Sequence, residues 1–556
     1  MGLVLGMIED AGEKFGSGLL FRWVPAGGFM ESVSWSICLL GVLLFLAVYW
    51  LLQTLWDFHL IISGNAPPGP LPLPILGNFG HVLLPNSLIS HLLQWKEMGW
   101  GEIPQQWSWN GFLFTHLIVG ELARIYGKIF RLFIGHRMIV FLNDFETLKD
   151  ALVNYAEVFS ERPDSAQVSL ITERKGVVFA SYGPVWKQQR RFSHSTLRHF
   201  GLGNLSLEIK VNEEFKYVKA EMLKHGKGSV NPFPIIGNAV SNIICSISFG
   251  KRFDYENKEF KTLLYLSFRG LEVCYNGLVL LVNLLPWLYY FPFGPFSEQR
   301  QIVNDIKAFL GRIIAEHKET LDPENLRDFI DMYLLHIEEE KRTNNKSSFN
   351  EDYLLFVLAD LFLAGTDTTT NTLLWSLLYM SLYPDVQEKV QAEIDAVIGR
   401  QKQPSLTDKA LMPFTEATIM EIQRITPVVP FAIPHMSSET TVFQGYTIPK
   451  GSIIIANLWS VHRDPNIWEK PDDFNPNRFL DAAGQILKTE AFIPFGIGRR
   501  VCMGEQLAKM EVFLMFVNLL QTFTFRLSDE TNKPSLKGKF GLTLAPFPFN
   551  VTISSR

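Results

Sequence analysis

The chain has 556 residues, 47% of them hydrophobic, enough to bury a large core. Its 51 Lys and Arg against 56 Asp and Glu leave a net charge of −5, which argues against a nucleic-acid binder. Four cysteines (Cys38, Cys245, Cys274, Cys502) make no disulfide framework and suit a reducing compartment. Three of them sit in apolar surroundings, where a free thiol behaves as a small hydrophobe; Cys502 lies in a Gly- and Arg-rich loop.

In chain order, residues 1–31 form an N-terminal segment. Residues 32–56, between Glu31 and Asp57, carry no charge; as a helix they would run roughly 38 Å, enough to span a bilayer with tilt. Trp35, Tyr49, Trp50 and Trp56 stand near the ends, where interfacial aromatics are favoured. No small-residue cleavage site follows, so the stretch reads as a retained transmembrane anchor. Lys14 and Arg22 precede it and no Lys or Arg follows until Lys96, so charge alone does not place the body in the cytosol. Residues 57–75 form a Pro-rich hinge: Pro67-Pro68-Gly69-Pro70, Pro72 and Pro74 cannot continue a helix and make a stiff connection.

Residues 76–556 read as one large domain, mainly α with a small β-rich corner. Leu92–Phe114 has no clear period. Helical spacing is expected over Ile118–Tyr126, Glu146–Ala156, Trp186–His199, Leu207–Lys224, Phe233–Phe249, Gln299–Glu319 and Asp328–Glu340. Strands are expected at Ile129–Ile134, Arg137–Phe141, Thr441–Phe443 and Ser452–Asn457. The uncharged stretch Val273–Phe293 is a candidate channel roof or membrane-facing surface, or simply core.

The longest helical pattern runs from about Asn350 to Leu382 and is apolar on most faces, as suits a helix through the centre of a large domain. In its middle stands Ala364-Gly365-Thr366-Asp367-Thr368-Thr369-Thr370. A charged Asp367 among hydroxyls inside an apolar helix needs partners or a task; threonines bonding back to helix carbonyls are the structural alternative.

The strongest signal is Phe495-Gly496-Ile497-Gly498-Arg499-Arg500-Val501-Cys502-Met503-Gly504. Its glycines allow a tight loop to approach a large flat ligand. Backbone N–H groups, the charge of Arg500 and the N-terminal end of a helix expected over Glu505–Phe523 would all favour a thiolate. Neither a second Cys nor a nearby His offers zinc spacing.

This loop resembles the haem-binding loop of the cytochromes P450, matching Phe-x-x-Gly-x-Arg-x-Cys-x-Gly at every fixed position. Ala364–Thr368 resembles the family's oxygen-activating segment, Glu421-Ile422-Gln423-Arg424 its Glu-x-x-Arg pair, and Phe474–Phe479 the loop that supplies a partner arginine. Order and spacing agree from Pro67 to the C-terminus. The resemblance implies haem b ligated by Cys502, with Phe495 and Gly498 in the loop. It implies Thr368 with Asp367 as the proton-delivery pair, and a structural ion triad of Glu421, Arg424 and Arg478. Arg500, Trp186, Arg190, Arg162 and His435 become candidate partners of the haem propionates, with a satisfied core histidine as the alternative for His435. A thiolate pushes electron density onto the iron and favours O–O cleavage.

Within the family the chain looks like microsomal family 2. Asn78–Pro85, Phe192–Phe200 and Phe495–Gly498 resemble its U-type subfamily, associated with hydroxylation of long-chain fatty acids such as arachidonate at or next to the terminal carbon. The family pattern implies NADPH–cytochrome P450 reductase, with cytochrome b5 as a further partner. Lys187, Arg191 and Lys509 are candidates for the basic face that meets the reductase. It also implies the endoplasmic reticulum membrane, or a mitochondrial one, with the catalytic domain in the cytosol. The acceptor patterns at Asn204, Asn345 and Asn550 should then carry no glycan. A broader lipophile monooxygenase or epoxygenase, a reductase-independent haem-thiolate isomerase and a haem sensor are the alternatives. Tail-first entry of a fatty acid would need a narrow apolar pocket lined around Phe362, Leu363 and Ala364.

Overall fold

The computed structural model describes residues 115–556, apart from 202–205, 227, 275, 284 and 344–346, together with parts of 40–78. Leu92–Phe114, Asn204, Asn345 and much of the expected anchor lie outside the described residues. Two units are present, Met1–Ile62 and Ser63–Arg556. In the first, the described residues between 40 and 62 are helical. Among the described residues no helix is long and apolar enough to cross a membrane.

The second unit is built around the helix Glu351–Leu382. Asn350 caps its start by accepting a hydrogen bond from the Tyr353 N–H, and Glu351 and Asp352 complement the positive end of the helix. Pro384 ends it and opens the next helix, Pro384–Val397, at a position where a missing N–H costs nothing. The threonine back-bonding is present: Thr368 donates to Ala364 O at 2.6 Å and Thr372 to Thr368 O at 2.9 Å. The segment nevertheless stays α-helical throughout.

Around this axis pack Phe233–Ser248, Gly294–Glu319, Pro413–Ile425 and Glu505–Thr522. The 17-residue helix Lys258–Cys274 was not among the expected elements. The β-rich corner is a four-stranded sheet ordered Ile129–Ile134, Arg137–Leu142, Ile453–Ala456, His435–Met436. The first pair is an antiparallel hairpin that stacks Phe130 on Phe141 at 4.7 Å; the central pair is parallel.

Three expectations are corrected. Glu146–Ala156 is no single α-helix: a π-turn over Asp150–Asn154 separates Phe145–Lys149 from Ala156–Phe159. Its carbonyl at Leu152 meets the Cys502 loop, and π-turns gather at functional sites for this kind of local reshaping. Val273–Phe293 is neither all core nor all surface. Val273, Val279, Val282 and Tyr289 are buried, whereas Leu278, Leu285, Trp287, Tyr290 and Phe293 are exposed. Its Pro286 and short 3-10 turns break the single face that a roof helix would need. Phe362 lies in the core against Phe249, because the helical period turns it away from the cavity that Leu363 and Ala364 line.

Candidate active site

A cavity of about 370 Å³ lies between the middle of the central helix and the Cys502 loop. Leu361, Leu363, Ala364, Ile244, Ile247 and Val429 give it a largely aliphatic wall. Cys502, Phe495, Met503 and Gly504 form its opposite end.

The loop is held by its own backbone, with Cys502 N–H donating to Phe495 O at 3.0 Å. Gly496 and Gly498 adopt φ of +74° and +79°, which a side chain would strain. Gly498 is constrained further, since a Cβ there would lie 2.1 Å from Leu152 O. Gly498 thus makes a close approach to protein backbone. Cys502 is accessible from the cavity, yet protein surrounds it on the other sides. Burial pushes its thiol up, Glu505 adds to this, and the Gly504 N–H and the charge of Arg190 oppose it. Arg190 thus supplies the positive neighbour that had been assigned to Arg500. Arg500 is committed elsewhere, donating to Ser160 O, Val177 O and Ala180 O and stacking on Trp186 at 4.1 Å.

Arg162, Arg190, Arg500 and His435 all line the cavity. Arg162 donates to Val178 O, Ile433 O and Pro434 O, and Arg190 to Val501 O. Among the described residues, no carboxylate forms an ion pair with any of the three arginines. Burial, Arg500 and Arg190 pull Arg162 well below its usual range, and burial leaves Arg500 at about 10. Such a surplus of buried positive charge fits an anionic group in the cavity, as two propionates would be. His435 is also a satisfied histidine, with Nδ1 2.7 Å from Phe159 O. Burial and Arg162 hold it neutral, so its other nitrogen meets an anion only by taking a proton. Trp186 stands behind this layer, its N–H donated to Val177 O and Arg190 lying over its ring.

Across the cavity, Thr368 and Asp367 both reach the wall. Thr368 spends its proton on Ala364 O, which leaves its oxygen as an acceptor. Asp367 accepts from Thr543 at 2.6 Å and from Asn371 at 3.2 Å, and burial raises its pKa.

Sequence reasoning missed two further acids. Asp360 takes the Val177 and Val178 N–H groups, and burial leaves it at about 6. Gly176 makes room for it, since a Cβ there would lie 2.4 Å from its Oδ2. The spacing Asp360-x6-Asp367 on one buried helix was the available signal. Glu511, one helical turn beyond Leu507 and Ala508 on the same cavity-lining face, is pushed up to about 8 by burial. Its Oε1 finds no partner among the described residues.

The ion triad is assembled. Arg424 Nε and Nη2 meet the two Glu421 oxygens at 2.7 and 2.9 Å, and Arg478 Nε adds a third contact at 2.9 Å. Arg424 also donates to His462 O, and His462 Nε2 accepts the Ile493 N–H two residues before Phe495. Of the basic candidates, Lys187 and Arg191 are exposed, whereas Lys509 is paired with Glu505 at 2.7 Å.

Among the described residues one cluster has the composition of a metal site: His317, Asp328 and Asp331. Its ligand atoms are already occupied. His317 Nδ1 and Nε2 face Ile313 O and Asp328 Oδ2 at 2.7 and 2.8 Å, so the ring carries both protons. Asp328 caps the helix Phe329–Arg342, and Asp331 takes three bonds from Arg327, two from its guanidinium and one from its N–H. Burial lowers the His317 pKa, but Asp328 outweighs it and the net shift is upward from 6.5. The stabilisation is therefore fully present below pH 6.5 and is lost as pH rises through the raised value. Urea unfolding should show stability falling on that alkaline side, and the fall should be absent in His317→Gln.

A cytochrome P450 family model matches residues 100–553. Human cytochrome P450 2U1 is 60% identical over 538 residues, covering 97% of this chain and 95% of the relative. The rat protein of the same name is 57% identical over 556 residues, the full length of both chains. Human cytochrome P450 2J2 is 40% identical over 483 residues, 87% of this chain and 90% of the relative.

Proposed function

The chain belongs to the cytochrome P450 family, as a member of family 2, and on that premise we propose that it hydroxylates long-chain fatty acids such as arachidonate at or next to the terminal carbon. Members of the family are monooxygenases that hold haem through a cysteine thiolate and take electrons from a redox partner such as a reductase. The haem supplies the activation of dioxygen. Substrate, O2, two electrons and two protons yield alcohol and water.

In this reading Cys502 would ligate the haem iron, and Phe495 and Gly498 shape its loop. Arg162, Arg190, Arg500 and His435 would hold the propionates, with Trp186 packed against Arg190 and Arg500. Asp367 and Thr368 deliver protons. Glu421, Arg424 and Arg478 brace the proximal side, and electrons come from NADPH through NADPH–cytochrome P450 reductase. Exposed Lys187 and Arg191 suit a steering surface for that acidic partner, whose encounter a single-sign patch accelerates. Cytochrome b5 would use the same face.

The aliphatic cavity beside Cys502 carries the substrate reading. It receives a hydrocarbon chain readily, and with Arg162, Arg190 and Arg500 taken up by the propionates its described lining leaves no cation for a substrate carboxylate. A fatty acid therefore enters tail first. Product analysis with arachidonate should give terminal and penultimate alcohols, and the methyl ester should bind slightly less well yet keep that regiochemistry. Epoxides at mid-chain double bonds would replace this reading by a broader family 2 monooxygenase.

The same reading places the protein at the endoplasmic reticulum membrane. Among the described residues, nine large apolar side chains between Leu40 and Leu55 are exposed, as are Trp287, Tyr290, Phe291 and Phe293. Solvent-facing apolar surface on this scale suits a lipid contact. Asn550 is exposed, and with a cytosolic domain it carries no glycan by mass spectrometry.

A further inference from the structure

We propose that Thr543, in the C-terminal hairpin, is a positioning residue that holds the Asp367 carboxyl in one orientation at the cavity wall. The inference rests on the reading of Asp367 as part of proton delivery and deepens it.

Three side chains close a small ring. Thr543 Oγ1 donates to Asp367 Oδ2 at 2.6 Å, while Asn371 Nδ2 lies 3.2 Å from both Asp367 Oδ1 and Thr543 Oγ1. A hydroxyl has one proton. Because Asn371 donates to the Thr543 oxygen, that proton is directed at Asp367. Both neighbours thus donate to the carboxyl, which favours its charged form, whereas burial favours the neutral acid. No charged side chain among the described residues contributes to this balance. The hydroxyl of Thr543 is therefore a principal group restraining the acid.

The hairpin that carries Thr543 is anchored independently of it. Lys539–Phe540 pairs antiparallel with Leu544–Ala545. Leu544 N–H donates to Val428 O at 2.7 Å, and Trp375 Nε1 donates to Leu544 O at 2.8 Å. Gly538, at φ +75°, lets the hairpin close against Leu544 and Trp375. Asp367, Asn371 and Trp375 are spaced by four residues, so one face of the central helix docks the hairpin. Leu542 and Thr543 line the same cavity as Thr368 and Cys502. A substrate that touches this hairpin touches the element that orients the acid.

The test compares Thr543→Val, Thr543→Ser and Asp367→Asn as full-length holoproteins. The protonated carboxyl band that disappears in Asp367→Asn is followed by infrared spectroscopy against pH in the resting protein. In Thr543→Val its titration should move to higher pH, and in Thr543→Ser it should match wild type. With reductase and arachidonate, peroxide released per NADPH should rise about fivefold in Thr543→Val, the factor one net hydrogen bond supports, and recover in Thr543→Ser. The two backbone anchors at Leu544 keep haem content unchanged in both Thr543 variants. An unmoved band in Thr543→Val overturns the positioning role. Full coupling in Asp367→Asn overturns the proton role beneath it, and the band tells the two failures apart.

Discussion

Replacing Cys502 with alanine is expected to abolish the thiolate-type red-shifted Soret absorption of the reduced carbon monoxide complex, and Cys502→His to replace it with an imidazole-type spectrum. The sulfur opens on the cavity at the N-terminal end of Glu505–Thr522, with the Gly504 N–H directed at it and Arg190 nearby. Burial raises the free thiol, so the anion needs the iron's own charge, which deprotonates a coordinating thiol outright. The other described cysteines have no such setting. Cys245 is fully buried in the core, and Cys274 accepts from Gln299 away from the cavity. Oxidation of the proposed fatty acid substrate should fall to background in both variants. A surviving thiolate spectrum in Cys502→Ala would assign the ligand to another cysteine.

Arg424→Ala should be the most destabilising single change on the proximal side. Glu421 and Arg424 are both fully buried and form a two-pronged pair, and removing Arg424 leaves Glu421 Oε2 without its partner and only Oε1 held, by Arg478 and the Asn475 N–H. Such losses run at about 3–5 kcal/mol. The damage should reach the cofactor, because Arg424 holds the His462 carbonyl while His462 holds Ile493 beside the Cys502 loop. Burial and the two neighbouring arginines keep His462 neutral, with a pKa of about 3, so its ring nitrogen remains an acceptor for that N–H. The expected readouts are a lower thermal midpoint and a haem-to-protein ratio well below that of wild type. Arg478→Ala should cost less, since Arg478 retains partial contact with solvent and Glu421 keeps its bidentate partner. Wild-type haem content and midpoint in Arg424→Ala would remove the triad from any bracing role.

Local pattern alone was sufficient for several parts of this protein. The apolar period marked the central helix to within one residue, and the ends it reached coincide with the Asn350 cap and Pro384, whose chemistry acts over a single turn. The apolar, aromatic-rich run Ile129–Ile134 and the ten-residue run ending at Gly504 were equally legible, since each packs most of its constraint into consecutive residues. The i,i+3 spacing of Glu421 and Arg424 announced their contact. Tertiary structure alone decided the rest. Only packing could show that Gly498 yields to the Leu152 carbonyl, that Arg190 rather than Arg500 stands by the thiol, and that Phe362 faces the core. The partners of Asp367 lie four and 176 residues away, at Asn371 and Thr543. Burial, which shifts Asp360 and Glu511, likewise depends on segments distant in the chain. A helical period reports which face is apolar, but a carboxyl's partners and its desolvation depend on what the folded chain brings against that face.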